Sequence, residues 1–139
     1  MILYNAHDVK IPPIPKRKIS NWIRQTAAKH QKRVGDIAYI FCSDKKILEI
    51  NNEYLSHDYY TDIITFDYSE AALISGDIFI SIDTVRTNAE KYNVDYCQEL
   101  YRVIIHGILH LCGIDDKADG ARAIMEHYEN EALACLLLK

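Results

Sequence analysis

Between Lys16 and Arg33 apolar side chains recur at helical spacing. Ile19, Trp22, Ile23, Thr26 and Ala27 fall on one face and charged residues on the other. This predicts a helix that Gly35 closes. The run before it, Ile11 to Pro15 (IPPIP), reads as a stiff lead-in and not as a domain boundary. The period then changes. Residues 36–43 (DIAYIFCS) are apolar on both faces, Ile37, Tyr39 and Phe41 against Ala38, Ile40 and Cys42, as expected of a strand in mid-sheet. Asp44 can cap a short helix reaching about Tyr54. Asp62 to Phe66 (DIITF) reads as a second buried strand and Gly76 to Ile82 (GDIFISI) as a third. Asp83 can cap a helix to about Lys91, and helices from about Tyr96 to Cys112 and from about Asp119 to Leu138 follow. This order predicts an α+β fold: one domain over residues 1–139, with a mixed sheet of about four strands packed with about five helices.

Composition narrows the class of partner. The net charge of −4 argues against a non-specific nucleic-acid coat, and no DNA partner is expected. Positive charge is nevertheless concentrated in the first quarter, at Lys10, Lys16, Arg17, Lys18, Arg24, Lys29, Lys32 and Arg33. Either a solvated helix face or an RNA-facing patch accounts for that cluster. No run of eighteen apolar residues is present, so no membrane span is expected. The first residues lack the charged-then-apolar order of a signal peptide, and the expected location is the cytoplasm. Cys42, Cys97, Cys112 and Cys135 form no CxxC pair and sit among apolar residues, which predicts buried, reduced thiols.

The candidate chemistry lies in residues 106–116, HGILHLCGIDD. His106 and His110 are one helical turn apart on one face, close enough for two imidazoles to share a metal. Their neighbours Leu100, Ile104, Ile105, Ile108, Leu109 and Leu111 mark a core helix, where an unpartnered imidazole is costly. Gly113 supplies the left-handed turn that ends such a helix and brings the chain back, so that Asp116 can reach the same metal. The helix is zincin-like in its histidine spacing. The zinc-protease pattern HExxH, however, has its general-base glutamate where this chain has Gly107, which disfavours a peptidase.

These residues, with two further stretches, resemble the YbeY family of metal-dependent endoribonucleases. The family motif HGxLHLxGxDH is matched at every fixed position but the last. INNEYLSHDYYTDIITF is similar to a second family segment through Asn51, Tyr54, Asp58, Thr61, Asp62 and Phe66, and GDIFIS to a third through Gly76 and Asp77. The resemblance covers roughly residues 40–130. It implies a phosphodiester hydrolase acting in ribosomal RNA maturation and ribosome quality control, with the small ribosomal subunit as partner and one zinc ion held by three histidines. Two departures follow. Asp116 stands in place of the third histidine, and Leu55 in place of an arginine. The expected ligands are therefore His106, His110 and Asp116, with water as the alternative third ligand. The carboxylate cancels one unit of charge and opens the site to other divalent metals. Leu55 cannot clamp a phosphate; Lys45, Lys46, His57 and Arg102 are the candidate replacements, unranked.

The attacking group is either a metal-activated water or the RNA's own 2′-hydroxyl, and no general base is assigned. Asp62, Thr65 and Asp77 read first as structural residues and second as cleft residues. Glu99 reads as a surface acid, with orientation of a histidine as the alternative role. His7, His30, His57 and His127 read as surface residues. Two other functions remain open: a non-catalytic ribosome-associated binding protein, and a zinc peptidase or other zinc hydrolase using a distant base.

Overall fold

The structure, a computed structural model, describes residues 1–55 and 61–137. Strand β1 (Ile2–Ala6) leads through the proline segment into helix α1 (Lys16–Lys29). Strand β2 (Arg33–Cys42), helix α2 (Asp44–Leu55), strand β3 (Ile63–Asp67) and strand β4 (Leu73–Ser81) follow. Three helices complete the chain: α3 (Ile82–Tyr92), α4 (Tyr96–Leu111) and α5 (Ala121–Leu137). The four strands form one mixed sheet in the order β1-β2-β4-β3, with β1, β2 and β4 parallel and β3 antiparallel at the edge. The α+β architecture and the strand and helix numbers agree with the sequence expectation.

The sheet carries helices on both faces. Ile37, Tyr39, Phe41, Ile78 and Ile80 join the large core with Trp22 of α1 and with Ile104 and Ile108 of α4. The opposite face is covered by α2, whose Ile47 and Ile50 meet Cys42, Ile64, Phe66 and Phe79. α1 buries the five residues its spacing selects, Ile19, Trp22, Ile23, Thr26 and Ala27. Two polar groups of the core find partners on the helices. Trp22 Nε1 donates to the Ala132 carbonyl of α5 (2.8 Å), and the Tyr39 hydroxyl to the Ile104 carbonyl of α4 (2.9 Å).

Several local expectations are corrected. α1 ends at Lys29, not near Arg33, and Gly35 lies inside β2; Gln31, at φ 59°, makes the left-handed turn instead. β1 has no counterpart in the sequence reading because its five residues include an exposed Leu3 and only partial burial. β3 is an edge strand in which Ile64 is the one buried residue, not a buried strand. Ser81, not Asp83, caps α3, its side chain accepting from the Thr84 amide. The Ser43 hydroxyl accepts from the Lys46 amide at the start of α2, leaving Asp44 to bind Ser81 and Thr84. All four cysteines are free, but only Cys42 is buried and Cys97 is exposed.

Candidate metal centre

α4 lies close against β3 and β4 because of Gly107. A Cβ at this position would sit 3.1 Å from Ile78 Cδ1 and 3.2 Å from Ile63 Cδ1. Any side chain there would press on the Ile78 and Ile63 side chains, which would have to give by a few tenths of an ångström. The flank of α4 beside that contact carries His106 and His110. Both line a cleft of about 760 Å³ walled by α4, α5 and the chain from Thr61 to Thr65.

The end of α4 is a two-bond C-terminal cap. The Gly113 amide donates to the His110 carbonyl (3.0 Å) and the Ile114 amide to the Leu109 carbonyl (3.1 Å). Gly113 takes φ 98°, a conformation that costs any residue with a Cβ. In the turn beyond, Asp115 Oδ1 accepts from the amides of Lys117 (3.0 Å) and Asp116 (2.7 Å). Those amide bonds hold the Asp115 carboxyl below its ordinary pKa, the Lys117 bond most of all. Asp115 thus braces the turn, and Asp116 is delivered into the cleft. Asp116 Oδ2 lies 3.3 Å from His106 Nε2.

The other nitrogen of His106 is held from α5. Its Nδ1 donates to Glu129 Oε2 at 2.7 Å, which leaves the Nε2 lone pair facing Asp116 when the ring is neutral. Glu129 is only 8% exposed, and Arg102 Nη1 donates to its second oxygen at 2.9 Å. Arg102 Nη2 also donates to Asn130 Oδ1 at 2.7 Å. Arg102 is therefore committed to Glu129 and is not the free phosphate clamp. Burial pushes the His106 pKa down. The hydrogen bond and charge of Glu129, with the charges of Asp116 and Asp62, outweigh this, so the net direction is up. The same negative field draws any cation to Nε2. His110 keeps its buried Nδ1 without a hydrogen-bond partner among the described residues. Among those residues no group of three His, Cys, Asp or Glu side chains is placed so that it could hold a metal ion as it stands.

Other predicted residues divide cleanly. Asp62 and Thr65 line the cleft, and burial raises the Asp62 carboxyl pKa against the charge of His106. Glu99 is buried in the same cleft and not on the surface, its pKa raised by burial and then by Asp62. Asp77 lies on β4 and accepts from the Tyr68 hydroxyl at 3.3 Å. Leu55 lines the cleft and is 41% exposed. Lys45 and Lys46 are not among the cleft-lining residues; Lys46 pairs with Glu49 at 3.9 Å. His57 and Asp58 fall outside the described residues. His7 and His127 are exposed, whereas His30 is half-buried against Tyr128. The sequence reading missed Lys117 and Arg122, which line the cleft without an ion pair among the described residues. It also missed Glu129. Its signal was an acid inside the apolar stripe of α5, four residues from Met125 and Leu133.

A mixed sheet crossed by a histidine-bearing helix above a carboxylate-rich cleft defines a hydrolytic enzyme of the α+β class. Comparison with known proteins gives the family: the chain belongs to the Endoribonuclease YbeY family, whose sequence profile matches residues 3–136. A protein of that name from Parabacteroides distasonis is 63% identical over 135 residues, 97% of this chain and 95% of the relative. One from Phocaeicola vulgatus is 63% identical over 138 residues, 99% of this chain and all of the relative. A Thermotoga maritima protein solved in solution shares the fold, with a TM-score of 0.69 and 26% identity over 98% of this chain and 89% of that one. The family is metal-dependent.

Proposed function

We propose that this chain is a metal-dependent endoribonuclease that cuts single-stranded RNA by hydrolysis, with His106, His110 and Asp116 holding one divalent ion. Ribosomal RNA on the small ribosomal subunit is the substrate, in the cytoplasm, and zinc is the ion. The observation that carries this reading is the 3.3 Å separation of His106 Nε2 and Asp116 Oδ2. Two ligands of a tetrahedral ion bound at about 2.0–2.1 Å stand roughly 3.3 Å apart. A neutral imidazole lone pair and a carboxylate repel at that distance; a shared cation removes the conflict, as a proton on Nε2 would. His110, one turn on and lining the same cleft, is the third ligand of this reading, and its Nδ1 has no hydrogen-bond partner among the described residues.

A divalent ion bound there supplies Lewis-acid polarisation of a phosphoryl oxygen and acidifies a bound water. The chain's own residues do the rest. Glu129 fixes the tautomer and plane of His106, and Arg102 holds Glu129 in place. Asp62 and Glu99, with carboxyl pKa values raised by burial, can hold and transfer a proton beside the ion. Lys117 and Arg122 are free to meet the phosphate in place of the arginine that Leu55 replaces. Gly107 stands where a zinc protease has its base, which favours phosphodiester over peptide cleavage.

Purified protein stripped with a chelator tests the reading. Cleavage of single-stranded RNA should require added divalent ion and be absent from His110→Ala loaded in the same way. Equal cleavage by the variant, or cleavage by the stripped protein, overturns it.

A further inference from the structure

Acids outnumber cations along the cleft. Five carboxylates line it, those of Asp62, Glu99, Asp116, Glu126 and Glu129, against the three cations Arg102, Lys117 and Arg122, in a chain whose net charge is −4. A substrate carrying one negative charge per nucleotide is repelled at long range unless another surface attracts it. That surface is α1. It carries five of the chain's sixteen Lys and Arg residues and none of its twenty acids. Lys16, Arg17, Lys18 and Arg24 are exposed. Arg24 donates to Asn21 and lies near Tyr4, Lys29 donates to Cys135 with the Glu131 charge nearby, and none of the five makes an ion pair among the described residues. Three consecutive cations in a first helical turn oppose the helix dipole, so helix stability does not explain them.

The basic face also has a shape. Lys16, Arg17 and Lys18 border a groove of about 590 Å³ that runs against Leu136 of α5. α5 joins this groove to the cleft. Glu129 lies in the cleft and Leu136 in the groove, seven residues on and so on the same flank, roughly 10 Å along the helix. Trp22 fastens α1 to α5 between them through Ala132. From this arrangement we infer that the α1 face and its groove are a docking surface for the ribose-phosphate backbone of single-stranded RNA, holding the strand outside the cleft while another part of it is cut. The inference rests on the proposed RNA substrate and adds that affinity and cleavage reside on different surfaces.

Two matched charge reversals test it. Lys16→Glu with Arg17→Glu alters the first turn of α1; Lys45→Glu with Lys46→Glu makes the same charge change in the first turn of α2, away from cleft and groove. Acids favour a helix N-terminus, so both variants are expected to fold, with thermal melting as the check. Binding of a long single-stranded oligoribonucleotide and of a trinucleotide is followed by fluorescence anisotropy across a salt series, in chelator so that nothing is cut. The α1 variant should bind the long RNA at least about tenfold more weakly at low salt. Its slope of log affinity against log salt should be shallower by about 1.4, two phosphate contacts at roughly 0.7 each. Trinucleotide binding should not change, and the α2 variant should behave as wild type. Equal losses in both variants, or none in the α1 variant, overturn the inference. Because binding is read without cleavage, a protein that binds in this way but never cuts RNA refutes the proposed activity and leaves the docking surface standing.

Discussion

His106 makes two contacts that act together. Asp116 and Glu129 approach its opposite nitrogens, and neither contact alone defines a ligand. Glu129→Gln keeps the shape and removes the charge that holds the Nδ1 proton. Calorimetric zinc titration should show affinity reduced about 10- to 100-fold with the fold intact; unchanged affinity would deny Glu129 its orienting role. Asp62 invites a different test. Burial raises its folded-state pKa above the unfolded value, so between the two values the folded state binds more protons. Stability therefore falls as pH rises through that window, and the loss persists at neutral pH. Ion-stripped Asp62→Asn should melt higher than wild type at pH 7, the gap closing below about pH 4, where Asp62 is protonated in both states. A lower melting temperature at pH 7 would contradict the assignment. At this scale the shared cleft of His106, His110 and Asp116 was legible in sequence, because their spacing follows helix and turn geometry. Glu129 and Arg122 are brought in by the packing of α5 on α4; the acid in the apolar stripe of α5 marks Glu129 as unusual but does not say what it meets.

Among the elements, α4 and its closing turn do most of the positioning. Gly107 sets the depth of the helix on the sheet, and the cap at Gly113 turns the chain so that Asp116 and Lys117 line the cleft. Gly113→Ala meets no atom within 4 Å, so its penalty is conformational alone. It should lower stability by about 1–2 kcal/mol in urea melts and also weaken zinc binding by displacing Asp116. Loss of stability with zinc affinity unchanged would show that the turn does not aim the ligand. The strongly periodic helices were legible in sequence, α1 down to its five buried residues. β1 left no pattern because it buries too little, and β3 was legible as a strand but not as an edge strand, since pairing with β2 and β4 sets both positions.

At the level of the whole molecule, charge and thiol reactivity are both unevenly distributed. Positive charge collects on α1 while carboxylates line the cleft, so composition alone predicted neither surface. The cysteines divide likewise. Burial pushes the Cys42 thiol up to about 12 and the Cys112 thiol up to about 11, whereas Cys97 is exposed. Iodoacetamide at neutral pH should label Cys97 first and leave Cys42 and Cys112 intact until the chain unfolds, as read by peptide mass spectrometry. Early labelling of Cys42 would contradict this packing. The central claim is that His106, His110 and Asp116 together hold the ion. X-ray absorption at the zinc edge, on protein loaded with one zinc per chain, tests it most directly. The account predicts two imidazole nitrogens and a carboxylate oxygen in the first shell, the oxygen lost or replaced by water in Asp116→Ala. A single imidazole, or a spectrum unchanged by that substitution, would contradict it.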